Sequence, residues 1–348
     1  MGAVKRILER LFHVTGSAEG KDGLVALRGF GKLPNYLEYQ HLEDSAGLAR
    51  AFQEWVVAGH NHWVQVVPSQ ERGSVLTTDL VGLVGDNRDE VVVARLWQSR
   101  DCANPPRQFP FTFFVNVPLA NWTEDPLDQF VRSSRLWSSL QVAFDRQHLI
   151  YERGGTFQRF YRQQKLGIKF EDGTDELKKT CASANSIPFH AWLESITSGC
   201  KANDGRALLS ALENIVAEWN HASKSQPPEA VRFPLSPLFR MEVQAAAWMK
   251  WLSVNVKNSR RPTSLLVSHA PDGKANSITL MTRPFAMEDF LLVTESASYC
   301  DQVEDICRLV PPAEDVTAEN RPKPSPVDIL LRGEYSLWDW AKMSLASA

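Results

Sequence analysis

Apolar positions along this chain recur with two periods, and their alternation sketches the elements. Val4, Ile7, Leu8, Leu11 and Phe12 fall on one face of a short N-terminal helix, followed by a small-residue linker to residue 23. Leu24–Pro34 reads as a strand running into a Gly-x-Gly-Lys turn that Pro34 closes. Leu48, Phe52, Trp55 and Val56 stripe a helix over 45–59, and Trp63–Val67 reads as a short strand ended by Pro68. Leu80–Val84 and Val91–Trp97 flank a turn-rich spacer and predict a β-hairpin. Asn104-Pro-Pro106 breaks the chain before a strand over Phe109–Val117. Leu127, Phe130, Val131, Trp137, Leu140 and Phe144 then give a second amphipathic helix.

Residues 151–205 keep no long period and read as an insertion, with one short helix over Pro188–Ile196 that Asn185 or Ser186 would cap. A second unit spans 206–310. Its helices are striped by Leu208, Leu212, Ile215 and Trp219 and by Phe239, Val243, Ala247 and Trp251. Strands at Ser264–Ser268 and Ser277–Met281 are joined by Pro271-Asp-Gly, and Phe285–Val293 reads as helical. Pro311–Pro326 predicts an extended linker, after which Val327–Met343 regains apolar and aromatic residues, including Trp338 and Trp340. Five segments follow: 1–23, 24–150, 151–205, 206–310 and 311–348. The expected fold class is α+β, a mixed and largely antiparallel sheet flanked by amphipathic helices, in two α/β units packed together.

Composition narrows the function classes. At 348 residues, with 43% hydrophobic residues and 11 tryptophans, the chain has ample material for a core. A net charge of −3 argues against a nucleic-acid partner. No apolar run approaches the roughly 18 residues of a membrane span, and residues 1–12 interleave charges where a signal peptide needs a continuous apolar stretch. The basic flanks of that first helix leave membrane-surface contact as a minor possibility. Cys102, Cys181, Cys200, Cys300 and Cys307 are odd in number and show no Cys-x-x-Cys spacing, which fits a reducing cytoplasm. Cys300 and Cys307 would share a helix face as core thiols.

The chemistry-bearing patterns are weak. The Gly29–Lys32 turn lacks the first glycine and the hydroxyl of a phosphate loop, since Ala26 and Leu33 stand there, and Pro34 removes an N–H donor. His60-Asn-His62 has no further ligands at useful spacing. Ser268 and His269 are adjacent on a strand and so point to opposite faces. No nucleophile elbow is present. Arg153, Phe157, Arg159, Phe160, Tyr161, Arg162 and Lys165 mix base and aromatic types without a nucleic-acid module signature. No catalytic residue, metal or cofactor is expected.

Three stretches carry a family resemblance. Gly29-Phe-Gly-Lys-Leu-Pro34 resembles the Phe-Gly-Lys-Leu-Pro signature of the TagF (ImpM) family, accessory proteins of bacterial type VI secretion. Arg107-Gln-Phe-Pro-Phe-Thr112 is similar to the family's Arg-x-Phe-Pro-Leu-Thr strand, and Ser264–Val267 with Thr282-Arg-Pro284 is similar more loosely. Where the family has Gly-Asp-Phe, this chain has Leu37-Glu38-Tyr39, keeping an acid and an aromatic. The resemblance implies a non-enzymatic regulator of type VI secretion assembly that binds a protein component such as a forkhead-associated scaffold. Candidate partner-binding residues are Lys32, Glu38, Arg107, Trp338 and Trp340, with Lys32 expected at the surface because the turn does not need its charge. The rival readings are a hydrolase or transferase with a divergent site, and a structural adaptor of a secretion or phage-tail-like machine.

Overall fold

The computed structural model describes residues 24–42, 47–85, 89–118, 126–152, 167–169, 174–198, 205–220, 229–256, 263–270, 273, 275–306 and 333–343. The N-terminal stripe, the Arg/aromatic stretch 153–165, the proline-rich stretch 311–326, Cys200 and Cys307 lie outside these residues. Internal contacts divide the chain into two units. The first comprises Met1–Glu124, Val131–Gly173 and Pro284–Cys300; the second comprises Asp125–Phe130, Thr174–Arg283 and Asp301–Ala348.

The first unit contains strands β1 (Leu24–Ala26), β2 (Arg28–Gly31), β3 (Gln40–Leu42), β4 (Thr78–Gly82), β5 (Glu90–Trp97), β6 (Phe111–Pro118) and β7 (Gly167–Lys169). Its helices are α1 (Leu48–Val66) and α2 (Pro126–Glu152), the latter from Val131 onward. Five strands pair antiparallel in the order β4-β5-β6-β2-β3, and β1 pairs with β7 separately. The expected hairpin is β4 and β5, in register from Thr78↔Leu96 to Gly82↔Val92. Burial along β5 and β6 is almost continuous, as it is in strands covered on both faces.

Trp63–Val67, expected as a strand, instead completes α1. Trp63 extends the buried stripe of Leu48, Phe52, Trp55, Val56 and Gly59, while Val64 and Val66 stay exposed. A short apolar run fits either period, and here the stripe already begun upstream decides. The expected second unit also divides. Its 3₁₀ helix Met287–Val293 belongs with α1, whose Gly59 leaves the room that Phe290 fills. The Trp55 indole N–H donates to the Ala286 carbonyl at 2.7 Å, and the Leu76 N–H to that of Val293 at 2.8 Å.

The second unit contains α3 (Thr174–Asn185), α4 (Phe189–Thr197), α5 (Gly205–Asn220), α6 (Met241–Asn255) and α7 (Leu337–Lys342). Its strands β8 (Ala230–Pro234), β9 (Ser264–His269), β10 (Ala275–Met281) and β11 (Glu304–Asp305) run in the order β11-β8-β10-β9. The β11–β8 pair is parallel and the others antiparallel, so the fold is α+β with a mixed, largely antiparallel sheet. Part of the expected insertion is therefore helical. Asn185 and Ser186 do not cap α4: their side chains donate to the carbonyls of Cys181 and Ser183 and close α3, and Pro188 stands at the start of α4. Cys300 is not helical either, because it follows a 3₁₀ turn with β11 four residues on.

The core of this unit is a ring cluster of Phe189 and Trp192 on α4, Trp248 and Trp251 on α6, and Trp340 on α7. Ser336 caps α7: its hydroxyl accepts from the Asp339 N–H at 3.1 Å and donates to the Asp339 carboxylate at 2.7 Å.

Candidate functional site

The two better-matched stretches meet in the first unit. In β2, Gly31 adopts φ +134°, and a Cβ there would collide with the Pro110 carbonyl. The glycine thus lets β2 lie close beside the start of β6, where Gly31 pairs with Phe111. The turn comes after it, closed by the Tyr36 N–H donating to the Leu33 carbonyl at 3.0 Å.

Lys32 is the correction to the sequence reading. It is 4% exposed, and its Nζ donates to Asp101 Oδ2 and to the Leu37 carbonyl, each at 2.9 Å. The ring of Tyr39 lies 4.5 Å from the same Nζ. A charge so enclosed is structural and is not offered to a partner. Arg107, from the other motif, reaches the same carboxylate through Nε at 2.6 Å and the same Leu37 carbonyl through Nη2 at 3.0 Å, with its side chain 60% exposed.

Asp101 is therefore the hub, and no motif named it. Its Oδ1 also accepts the backbone N–H groups of Ala103 at 3.1 Å and Arg107 at 2.9 Å, across the loop that holds Asn104-Pro-Pro106. Burial alone would raise its pKa. The Arg107 N–H, the Lys32 ammonium, the Ala103 N–H and the Arg107 guanidinium outweigh that and hold it well below the ordinary carboxylate range. One signal was legible: an aspartate opening a proline-rich loop commonly bonds its own backbone two residues on.

Above this hub, Leu37 and Tyr39 are 54% and 39% exposed, with Glu38 exposed between them. The Tyr39 ring stacks on Phe30 at 5.6 Å and meets Phe109 edge-on at 4.9 Å, so the tip has a rigid base. Of the other candidates, Trp340 is 1% exposed inside its own unit and is not a partner contact, whereas Trp338 on α7 is partly exposed.

His60 lies on α1 against Phe109 at 4.8 Å, with Trp63 and Phe290 nearby. Burial pushes its pKa down to about 4; a bond involving the Gln108 backbone opposes this and the Arg72 charge adds to it. Among the described residues no cluster of three or more His, Cys, Asp or Glu is placed to hold a metal ion, and no helix is long and apolar enough to cross a membrane. His269 Nδ1 lies 3.2 Å from the Gly273 carbonyl, a turn contact.

No family model and no curated protein matches this chain. Among solved structures, the chain is similar to PA0076 from Pseudomonas aeruginosa PAO1 at 13% identity and a TM-score of 0.28, over 40% of this chain and 60% of that one. The chain thus spans less than two thirds of that neighbour's length, and the likeness is too slight to carry a role from one to the other.

Proposed function

We propose that this protein is a non-enzymatic cytoplasmic interaction factor that acts as TagF proteins do. It would regulate type VI secretion assembly post-translationally by binding a component such as a forkhead-associated scaffold. The observation that supports this reading is the meeting of Lys32 and Arg107, one from each of two resembling motifs, on Asp101 and on the Leu37 carbonyl. Their shared product is the presentation of Leu37-Glu38-Tyr39, an apolar, acidic and aromatic tip, beside the outward face of Arg107. Binding at this tip would withhold the scaffold from the growing secretion complex.

Titration calorimetry against a purified forkhead-associated scaffold from the same organism tests the reading. Wild type should bind saturably, and Leu37→Asp with Glu38→Lys should bind at least about tenfold more weakly, or 1.4 kcal/mol, with unchanged melting. Both side chains point outward, so a loss of binding would not reflect a loss of fold. Absence of binding by wild type would remove the proposed partner; equal binding by the variant would move the interface elsewhere.

A further inference from the structure

The segment that carries α7 is seated on the second unit in the manner of a bound peptide. Leu337, Trp340 and Ala341 are its fully buried side chains, at positions i, i+3 and i+4 of the helix. That spacing is how a short amphipathic helix anchors in a groove. Here the groove is formed by α3, α4 and α6, all of which α7 touches. Phe189, Trp192, Trp248 and Trp251 surround the Trp340 ring, with centroids 5.0–6.1 Å away.

Backbone bonds fix both ends of the segment. Before the helix, the Phe189 N–H donates to the Tyr335 carbonyl at 2.9 Å, and the Leu337 N–H donates to the Ile187 carbonyl at 2.8 Å. After it, Asn255 Nδ2 donates to the Met343 carbonyl at 3.0 Å. None of these contacts requires the segment to belong to the same chain. The fit is incomplete in one respect. The indole N–H groups of Trp251 and Trp340 are buried, and neither meets an acceptor among the described residues. A segment that leaves donors unanswered is held less firmly than the burial of its rings suggests.

We infer that the groove on α3, α4 and α6 receives a short helical segment of a partner protein, and that residues 336–341 are a built-in competitor for it. The contacts specify the partner's segment: a capping residue such as serine, leucine directly after it, an aromatic ring three residues beyond the leucine, and a small residue next. The partner is another protein, not a second copy of this chain. A second copy's segment brings only the contacts already made, and each copy's own segment has the advantage of its tether. This surface lies in the second unit and does not rest on the reading of the Leu37–Tyr39 tip.

Fluorescence anisotropy of a labelled peptide with the sequence of residues 333–345, titrated with the full chain, tests the inference. Trp340→Ala vacates the seat and should bind the peptide at least about tenfold more tightly than wild type. Ser336→Ala removes only the cap of the competitor and leaves the rings of the groove in place, so it should bind severalfold more tightly than wild type. That variant carries the test if Trp340→Ala does not fold. A peptide with alanine in place of Leu337 and Trp340 should bind neither variant. A displayed library of random peptides selected on Ser336→Ala should enrich leucine with an aromatic residue three positions on. Equal affinity of the peptide for wild type and Ser336→Ala, no saturable binding to either, binding of the double-alanine peptide, or a library without that pattern overturns the inference. So does a wild-type dimer in sedimentation that Trp340→Ala abolishes, since a second copy would then be the source of the segment. A failed scaffold titration leaves this groove standing, and failure here leaves the tip standing.

Discussion

The centre of the first motif region and the centre of the second unit are built on opposite principles. Around Asp101 a buried carboxylate is answered by four donors, each at a fixed distance and direction. Around Trp340 the side chains are large, apolar and tolerant in angle, with ring centroids 5.0–6.1 Å apart in both stacked and edge-on arrangements. Directional bonds specify where a loop sits; ring burial supplies stabilising free energy with little say over loop geometry. Fixing the backbone of the Leu37–Tyr39 tip calls for the first, and docking a single short helix onto its own unit calls for the second.

The strongest way to break this contrast is to reverse the central charge. Lys32→Glu places a second carboxylate against buried Asp101, and the first unit should fail to fold, read as insoluble expression or loss of cooperative melting. Lys32→Met removes only the answering charge and should lower the melting temperature, while Arg107→Ala should cost a fraction of that. The Arg107 backbone N–H still serves Asp101 after truncation, and the lost side chain was mostly solvated. Because the Asp101 pKa is depressed in the fold, its contribution is complete above the ordinary value near 3.8 and fades as pH falls below it. A soluble Lys32→Glu with wild-type melting would show that the hub does not hold the loop.

Next in size is Trp340→Ala, which removes the ring that touches Phe189, Trp192, Trp248 and Trp251. Truncating a fully buried tryptophan typically costs about 3–5 kcal/mol. The loss should appear in denaturant melts and in hydrogen exchange of α4 and α6, with exchange in β5 and β6 unchanged. Protection lost equally throughout both units would mean that they unfold together.

The ring cluster and the hub also differ in how far sequence reveals them. Helical stripes placed α1, α2, α5 and α6 and alternation placed β4, β5, β9 and β10, since burial on one face writes itself into local spacing. Trp340 was visible as an apolar residue in search of a home, but the choice between its own unit and a partner depends on what α4 and α6 leave open. Lys32 was misread for a related reason. An isolated cation looks solvated until its counter-ion is found, and Asp101 lies 69 residues away.

The remaining effect concerns acid and sharpens the contrast between the units. In the unfolded chain His60 takes up its proton near pH 6.5, whereas in the fold it waits until about 4. Its contribution is therefore complete above pH 6.5 and is lost progressively as pH falls towards 4, by about 3 kcal/mol at roughly 1.4 kcal/mol per unit. In the second unit, Asp339 has its pKa lowered by the Ser336 hydroxyl and by Lys342, so its linkage operates only below the ordinary carboxylate value. Hydrogen exchange between pH 6.5 and 4, corrected for intrinsic rates, should then show weakening of α1 and its 3₁₀ neighbour before any change in α7. His60→Met, which fills similar space and cannot titrate, should flatten that response. A wild-type α1 as stable at pH 4.5 as at pH 7 would mean that the imidazole already meets solvent, and that acid distinguishes the two units only through their carboxylates.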